Sequence, residues 1–296
     1  MSSTEARLVD GGKGATVRLL IGAVLISFSA VFVKLTSVSP TASAVYRCAF
    51  GGAVLFAWLA ISRQQVWIRP RPWVTLLVAA LFFAADLAAW HRSIVFVGPG
   101  LATLLANFQV FVLALVGVVV FAEPARLSLW LAIPLAMIGL ALLIGVQWTS
   151  LPALQQEGVL WGLATALFYS GYILSLRRAR QLSPGVGAAN DLAIVSAASA
   201  ILLAVLALAS GESLEIPDLA NLGTLVAYGV VGQVLGWLLI SSGLERVPAG
   251  LVGLILLLQP TLAFLWDIAL FGLPMSAYQG LGAGLAIAAI YAATRR

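Results

Sequence analysis

The sequence predicts an all-α integral membrane protein of ten transmembrane helices, arranged as two inverted five-helix repeats. Three observations carry that prediction. Of the 296 residues, 62% are apolar and only 9% are charged, whereas a soluble domain carries roughly 25% charged residues. The connections between apolar runs sort by charge sign. The second half of the chain also repeats the first, at an offset of 150 residues over the latter part of each half.

The first observation is visible locally. No charge falls between Ser93 and Ala122, between Leu127 and Gln156, between Leu219 and Leu244, or between Ile268 and Thr294. Each run exceeds the ~20 helical residues that cross a ~30 Å hydrocarbon layer. Residues 1–16 form a polar tail. The apolar run behind it is longer than a signal-peptide core and lacks a cleavage site, so it is expected to be retained as the first span. The expected spans of the first half are Val17–Leu35, Ala42–Ser62, Trp73–Val95, Gly100–Phe121 and Leu127–Val146, within a repeat covering 17–147. Those of the second half are Val159–Leu176, Val186–Ala209, Leu219–Leu244, Gly250–Phe271 and Ala277–Ala293, within a repeat covering 157–294. Prolines mark the joints, at Pro40, Pro70, Pro72, Pro99, Pro124, Pro152, Pro184, Pro217, Pro248 and Pro274, where a missing N–H costs least. Only Pro134 and Pro260 fall inside spans.

Ten spans put both termini on one side, and the charges agree. One set of connections carries Lys13, Arg18, Arg63, Arg69, Arg71, Arg126, Arg177, Arg178, Arg180, Arg246, Arg295 and Arg296. The other carries Glu157, Glu212, Glu215 and Asp218, with Lys34 and Arg92 as its bases. The positive-inside rule places the first set, and both termini, in the cytoplasm of a cell whose inner membrane the chain spans. The net charge of +5 is therefore read as orientation signal and not as a nucleic-acid footprint. A single cysteine, Cys48, and a single histidine, His91, exclude an internal disulfide and a Cys/His metal centre. The GGKG near the N-terminus lacks P-loop spacing and its Ser/Thr, so neither a metal nor a nucleotide cofactor is expected.

The repeat carries more than hydropathy. Val97-Gly98-Pro99-Gly100-Leu101 matches Val247-Pro248-Ala249-Gly250-Leu251, and the register continues through Gln109 and Gln259, Phe121 and Phe271, Pro124 and Pro274, and Leu131 and Leu281. Ser39-Pro40 matches Ser183-Pro184, which pairs Arg47 with Asp191. Five spans per copy is odd, so the second copy enters the membrane upside down, an arrangement typical of transporters with a midplane site.

The stretch AWHRSIVFVGPGLATLLANFQVFVLALVGVVVFAEPARLSLW and its partner GLERVPAGLVGLILLLQPTLAFLW resemble the drug/metabolite transporter superfamily, in its ten-span EamA-type branch. Gln259-Pro260 fits the family's Glu-Pro or Ser-Pro loosely, Gln109-Val110 departs from it, and the linker glutamate is Glu123, with Leu273 as its repeat mate. Within the branch the chain is similar to YddG-type amino-acid exporters. The resemblance implies a secondary transporter exporting small metabolites, amino acids foremost, by alternating access. A multidrug or other metabolite carrier of the same fold is the alternative. An integral-membrane enzyme would need a convergent acid/base or metal set, which one histidine and scattered aspartates do not supply.

Ionisable groups inside lipid cost ~2.5 kcal/mol or more, so each is a functional candidate. Arg47 is expected about 10 Å below the outer surface, and Asp86 at a similar depth, which allows an Arg47–Asp86 ion pair. Arg47 is then either a substrate anchor or a helix clamp. Asp191, mirroring Arg47, and Gln233 form an expected polar gate in the inner half, with Gln233 as Asp191's partner. Helical spacing gathers Trp161, Thr165, Phe168, Tyr169 and Tyr172 on one face of the sixth span. Trp90 joins Asp86 in the third span with His91 beside it, Thr103 and Asn107 pair in the fourth, and Gln233 and Trp237 in the eighth. Arg47, Asp86, Trp90, His91, Asn107, Tyr169, Tyr172 and Trp237 are the expected substrate-binding set, lining an aromatic cavity suited to a small amphiphile. His91 and Asp86 are the candidates for proton coupling. Gln109 and Gln259 are read as interhelical hydrogen-bonders or hinges, and Asp267 as interfacial.

Overall fold

The computed structural model describes residues 3–64, 72–124, 126–144, 154–272 and 276–294. Arg69, Pro70, Arg71, Pro152, Leu273, Pro274, Arg295 and Arg296, and the side chain of Asp267, lie outside the described residues. Every regular element described is helical. In chain order they are α1 (Ser3–Ser27), α2 (Ser29–Leu35), α3 (Pro40–Ile61), α4 (Trp73–Ala106), α5 (Gln109–Val119), α6 (Leu127–Ile144), α7 (Leu154–Leu182), α8 (Ala188–Ala209), α9 (Leu219–Tyr228), a π-helical segment (Gly229–Gly236), α10 (Trp237–Gly243), α11 (Ala249–Leu256), α12 (Leu258–Phe271) and α13 (Ala277–Thr294).

Eight helical stretches are long and apolar enough to cross a membrane: Lys13–Leu35, Pro40–Ile61, Trp73–Ile94, Ala102–Val119, Gln155–Leu182, Ala188–Ala209, Leu219–Gly243 and Ala249–Phe271. Two shorter apolar helices, Leu127–Leu142 and Ala277–Ala292, occupy the places of the expected fifth and tenth spans. The first helix starts at Ser3, inside what the sequence presents as a polar tail. At the start of α3, the Ser39 hydroxyl accepts the Ala42 N–H and Pro40 occupies the first helical position, as N-terminal caps require.

The joint expected at Pro99 is not a break in helical geometry, because α4 runs through it. The chain nevertheless turns back there. A Cβ on Gly162 would meet both the Leu105 side chain at 2.7 Å and Ser93 Oγ at 3.0 Å, two residues that a straight helix would hold about 18 Å apart. The real interruptions fall later and are mirrored. Asn107 and Phe108 separate α4 from α5, and Leu257 separates α11 from α12, at the 150-residue offset. Pro260 supplies one cause, since it cannot donate to the Leu256 carbonyl.

Packing follows the same symmetry. α4 packs on α7 as α1 packs on α10 and the π segment, α3 packs on α8, α5 on α11, and α6 on α13. α3 and α8 run antiparallel: Ser39, before α3, hydrogen-bonds Glu212, just past α8, at 2.5 Å. In lipid the hydrophobic effect does not hold helices together, so close backbone approach must. A Cβ on Gly22 would sit 2.8 Å from the Gly236 carbonyl oxygen, and one on Gly139 2.7 Å from the Gly282 carbonyl oxygen.

Candidate functional site

Arg47 is the centre of the buried polar cluster. It is 6% exposed, about two turns inside α3. Its Nε donates to Gln233 Oε1 at 3.0 Å, and Nη1 donates to Tyr228 Oη at 3.2 Å. The guanidinium carbon lies 5.1 Å from the Tyr228 ring centroid and 5.6 Å from that of Phe83. Phe83 stacks on Tyr172 with centroids 4.4 Å apart, and Trp237 meets Tyr172 edge-on at 4.7 Å. Tyr169 closes the group against Trp237 at 6.2 Å, while its hydroxyl faces Gln259 Nε2 at 3.5 Å.

The Arg47–Asp86 ion pair allowed by depth does not form. No ion pair within 4 Å and no hydrogen bond engages the Asp86 carboxylate among the described residues, and Arg47 acts on it only at longer range. The hydrogen bonds of Arg47 go to Gln233 and Tyr228 instead. The expected Asp191–Gln233 pair is also corrected. Gln233 is fully buried and spans from Arg47 to Ser196 Oγ, to which its Nε2 donates at 2.9 Å, while Asp191 receives Arg180 Nη1 at 3.3 Å. Asn107 does not turn to the cluster. Its Nδ2 donates to the Thr103 carbonyl at 2.7 Å and caps the end of its own helix. His91 and Trp90 lie together, rings 5.3 Å apart, and His91 Nδ1 faces Thr41 Oγ1 at 3.5 Å beside the start of α3, nearly two turns from Arg47.

The structure thus brings together Arg47, Tyr169, Tyr172, Trp237 and Gln233. It adds Phe83, Tyr228 and Ser196, which sequence reasoning had not singled out. Two polar atoms in this cluster, Tyr172 Oη and Trp237 Nε1, are buried without a hydrogen-bond partner, although such groups are normally satisfied. Open grooves lie elsewhere: one of 380 Å³ between α5 and α7, lined by Phe108, Phe111 and Leu163 among others, and one of 270 Å³ at Arg92, Phe96, Glu157 and Trp161. Arg47 lines neither of them.

A second polar group ties the helices at the arginine-rich end. Glu123 accepts Arg177 Nη2 at 2.7 Å on one oxygen and the Ala249 N–H at 2.8 Å on the other. Arg180 reaches Asp191 and, at 3.0 Å, Glu245. At the opposite end Asn221 Oδ1 receives the Ser37 N–H at 2.8 Å and the Thr36 hydroxyl at 2.9 Å, and the Tyr46 hydroxyl donates to the Leu214 carbonyl.

Comparison with known proteins gives three results. The EamA-like transporter family matches residues 15–145 and again residues 156–295. No curated protein matches the sequence significantly. A protein of known crystal structure superposes with a TM-score of 0.82 at 20% identity, over 95% of this chain and 96% of that one, a likeness of fold.

Proposed function

The chain belongs to the EamA-like transporter family of the drug/metabolite superfamily, and on that premise we propose that it is a secondary exporter of small metabolites, amino acids foremost, as in YddG-type exporters. The two shorter helices cross the membrane with the eight longer ones, giving ten spans in two inverted copies. The arginine-rich end faces the cytoplasm. The copies rock about the Arg47 cluster, which opens to one side at a time.

One observation supports the substrate reading above the rest. A guanidinium carries five N–H donors, and Arg47 commits two of them, to Gln233 and Tyr228. Three remain, in a site of low dielectric, where a carboxylate binds a guanidinium strongly and with directional choice. The unpaired Asp86 on the facing helix supplies the opposite charge. A zwitterion meets both: its carboxylate on Arg47, its ammonium on Asp86, its side chain against Phe83, Tyr172 and Trp237. The unpartnered Tyr172 hydroxyl and Trp237 indole N–H are further donors to the same ligand.

Proteoliposome uptake of labelled amino acids, sugars and cationic drugs tests this. Phenylalanine or leucine is expected to enter, with Arg47→Gln abolishing most transport and Arg47→Lys raising KM about tenfold or more, through loss of the fork geometry. If folded Arg47→Gln with Asp86→Asn carries amino acids normally, Arg47 is a helix clamp and the anchor role falls. Uptake of drugs but no amino acid would replace the substrate class.

A further inference from the structure

We propose that the π-helical segment of the eighth span is a specificity device, and that Gln233, carried on it, is the residue that positions Arg47 for a substrate carboxylate. This rests on the carboxylate reading above. Tyr228 and Gln233 are five residues apart. On an α-helix they would point about 140° away from each other, and no single guanidinium could touch both. A π-helix bonds residue i to i+5 and so brings such residues onto one face. Between Gly229 and Gly236 the chain adopts that geometry, with Tyr228 as the residue that leads into it. Both side chains reach the same arginine: Gln233 takes Nε at 3.0 Å and Tyr228 takes Nη1 at 3.2 Å.

The direction of the chain is fixed by chemistry. Arg47 can only donate, so Gln233 must present its oxygen to it and its amide nitrogen to a second acceptor. That acceptor is Ser196 on α8, at 2.9 Å. Gln233 and Ser196 are both 0% exposed, so water does not substitute for either. The neutral glutamine holds the arginine without cancelling its charge, which stays available to an anion. Gly51 allows the approach: a Cβ there would lie 2.6 Å from the Gln233 side chain and 3.2 Å from the Gly229 carbonyl oxygen. A buried network of this kind aims the three remaining N–H groups, and aim is what separates a carboxylate from its neutral amide.

The test compares binding of L-phenylalanine and L-phenylalaninamide to the purified full chain, with melting temperature measured alongside. Wild type is expected to prefer the acid, and Arg47→Gln to lose the preference. Gln233→Leu should cut that preference about tenfold, the worth of one hydrogen bond to a charged group. Ser196→Ala, the milder change, should move it the same way by a smaller factor. Gln233→Glu keeps the bond to Nε but neutralises Arg47, so it should weaken the acid while leaving the amide unchanged. Preference lost in Arg47→Gln but intact in folded Gln233→Leu and Ser196→Ala would overturn the positioning role and leave the anchor role standing. Equal binding of acid and amide by wild type, or binding of neither, would overturn both.

Discussion

Glu123 ties the first repeat to the second at the arginine-rich end. Its carboxylate joins Arg177 on α7 to the first N–H of α11, and Arg177 is only 7% exposed, with Nε and Nη1 unpartnered. Glu123→Ala therefore strands a buried cation and should cost about 3 kcal/mol in detergent melting. Adding Arg177→Met removes the stranded charge, so the double variant should recover much of the loss. A double variant as unstable as the single would mean that Glu123 acts through Ala249 alone. At this scale the sequence marks Arg47, Asp86 and Gln233 by their rarity in apolar runs, but it assigns their partners wrongly. Depth counted at 1.5 Å per residue places Asp86 level with Arg47 and Gln233 level with Asp191. That count holds for straight α-helices and is blind to which side each residue faces. Tyr228, the second ligand of Arg47, was not legible, because five residues from Gln233 is the wrong spacing for one α-helical face.

Among the elements, the π segment and the two mirrored interruptions depart furthest from what periodicity reveals. Sequence reading places prolines at joints and so puts a break at Pro99, yet helical geometry runs through that turn and fails eight residues later, at Asn107. Gln109 and Gln259, read as hydrogen-bonders or hinges, sit just past the two interruptions, where helix axes are free to change direction. The glycines of the eighth span were the one available signal for the π turn, because Gly229, Gly232 and Gly236 let neighbouring backbones approach. Gly51→Ala should force the π segment away from α3, since the added Cβ has no room beside Gln233 or the Gly229 carbonyl. Overpacking of this kind costs about 1–3 kcal/mol. Gly223→Ala, on α9 with nothing within 4 Å of the added Cβ, should instead be neutral or stabilising by up to ~1 kcal/mol. Melting both variants in one detergent isolates packing from helix propensity. Equal melting temperatures would remove the case for a tightly held π segment.

The whole molecule is tied at both ends in this structure, by Glu123, Arg177, Arg180, Asp191 and Glu245 at one and by Ser39 with Glu212 and Thr36 with Asn221 at the other. Alternating access requires one set of ties to break while the other holds, in a chain whose helix contacts repeat between its two halves. That symmetry was legible from the 150-residue offset, because glycines, prolines and glutamines recur with the apolar residues and not merely among them. It leads to a topology that can be measured. If ten spans cross, the connection at Gln181–Val186 and the connection at Gly211–Pro217 must open to opposite sides, and the basic one must face the cytoplasm. Cys48 is free and buried, so a Cys48→Ser background leaves no reactive thiol. Single cysteines at Gln64, Gly185 and Ser213 are then exposed to an impermeant thiol reagent on intact cells and, separately, on permeabilised cells. Ser213→Cys should label in both, while Gln64→Cys and Gly185→Cys should label only after permeabilisation. Labelling of Gly185→Cys but not Ser213→Cys on intact cells would reverse the orientation. Labelling of Gln64→Cys and Ser213→Cys from the same side would mean an even number of crossings between them, and the ten-span arrangement would fall, because the third to seventh spans, which lie between these two positions, make five crossings only when each of them traverses the bilayer.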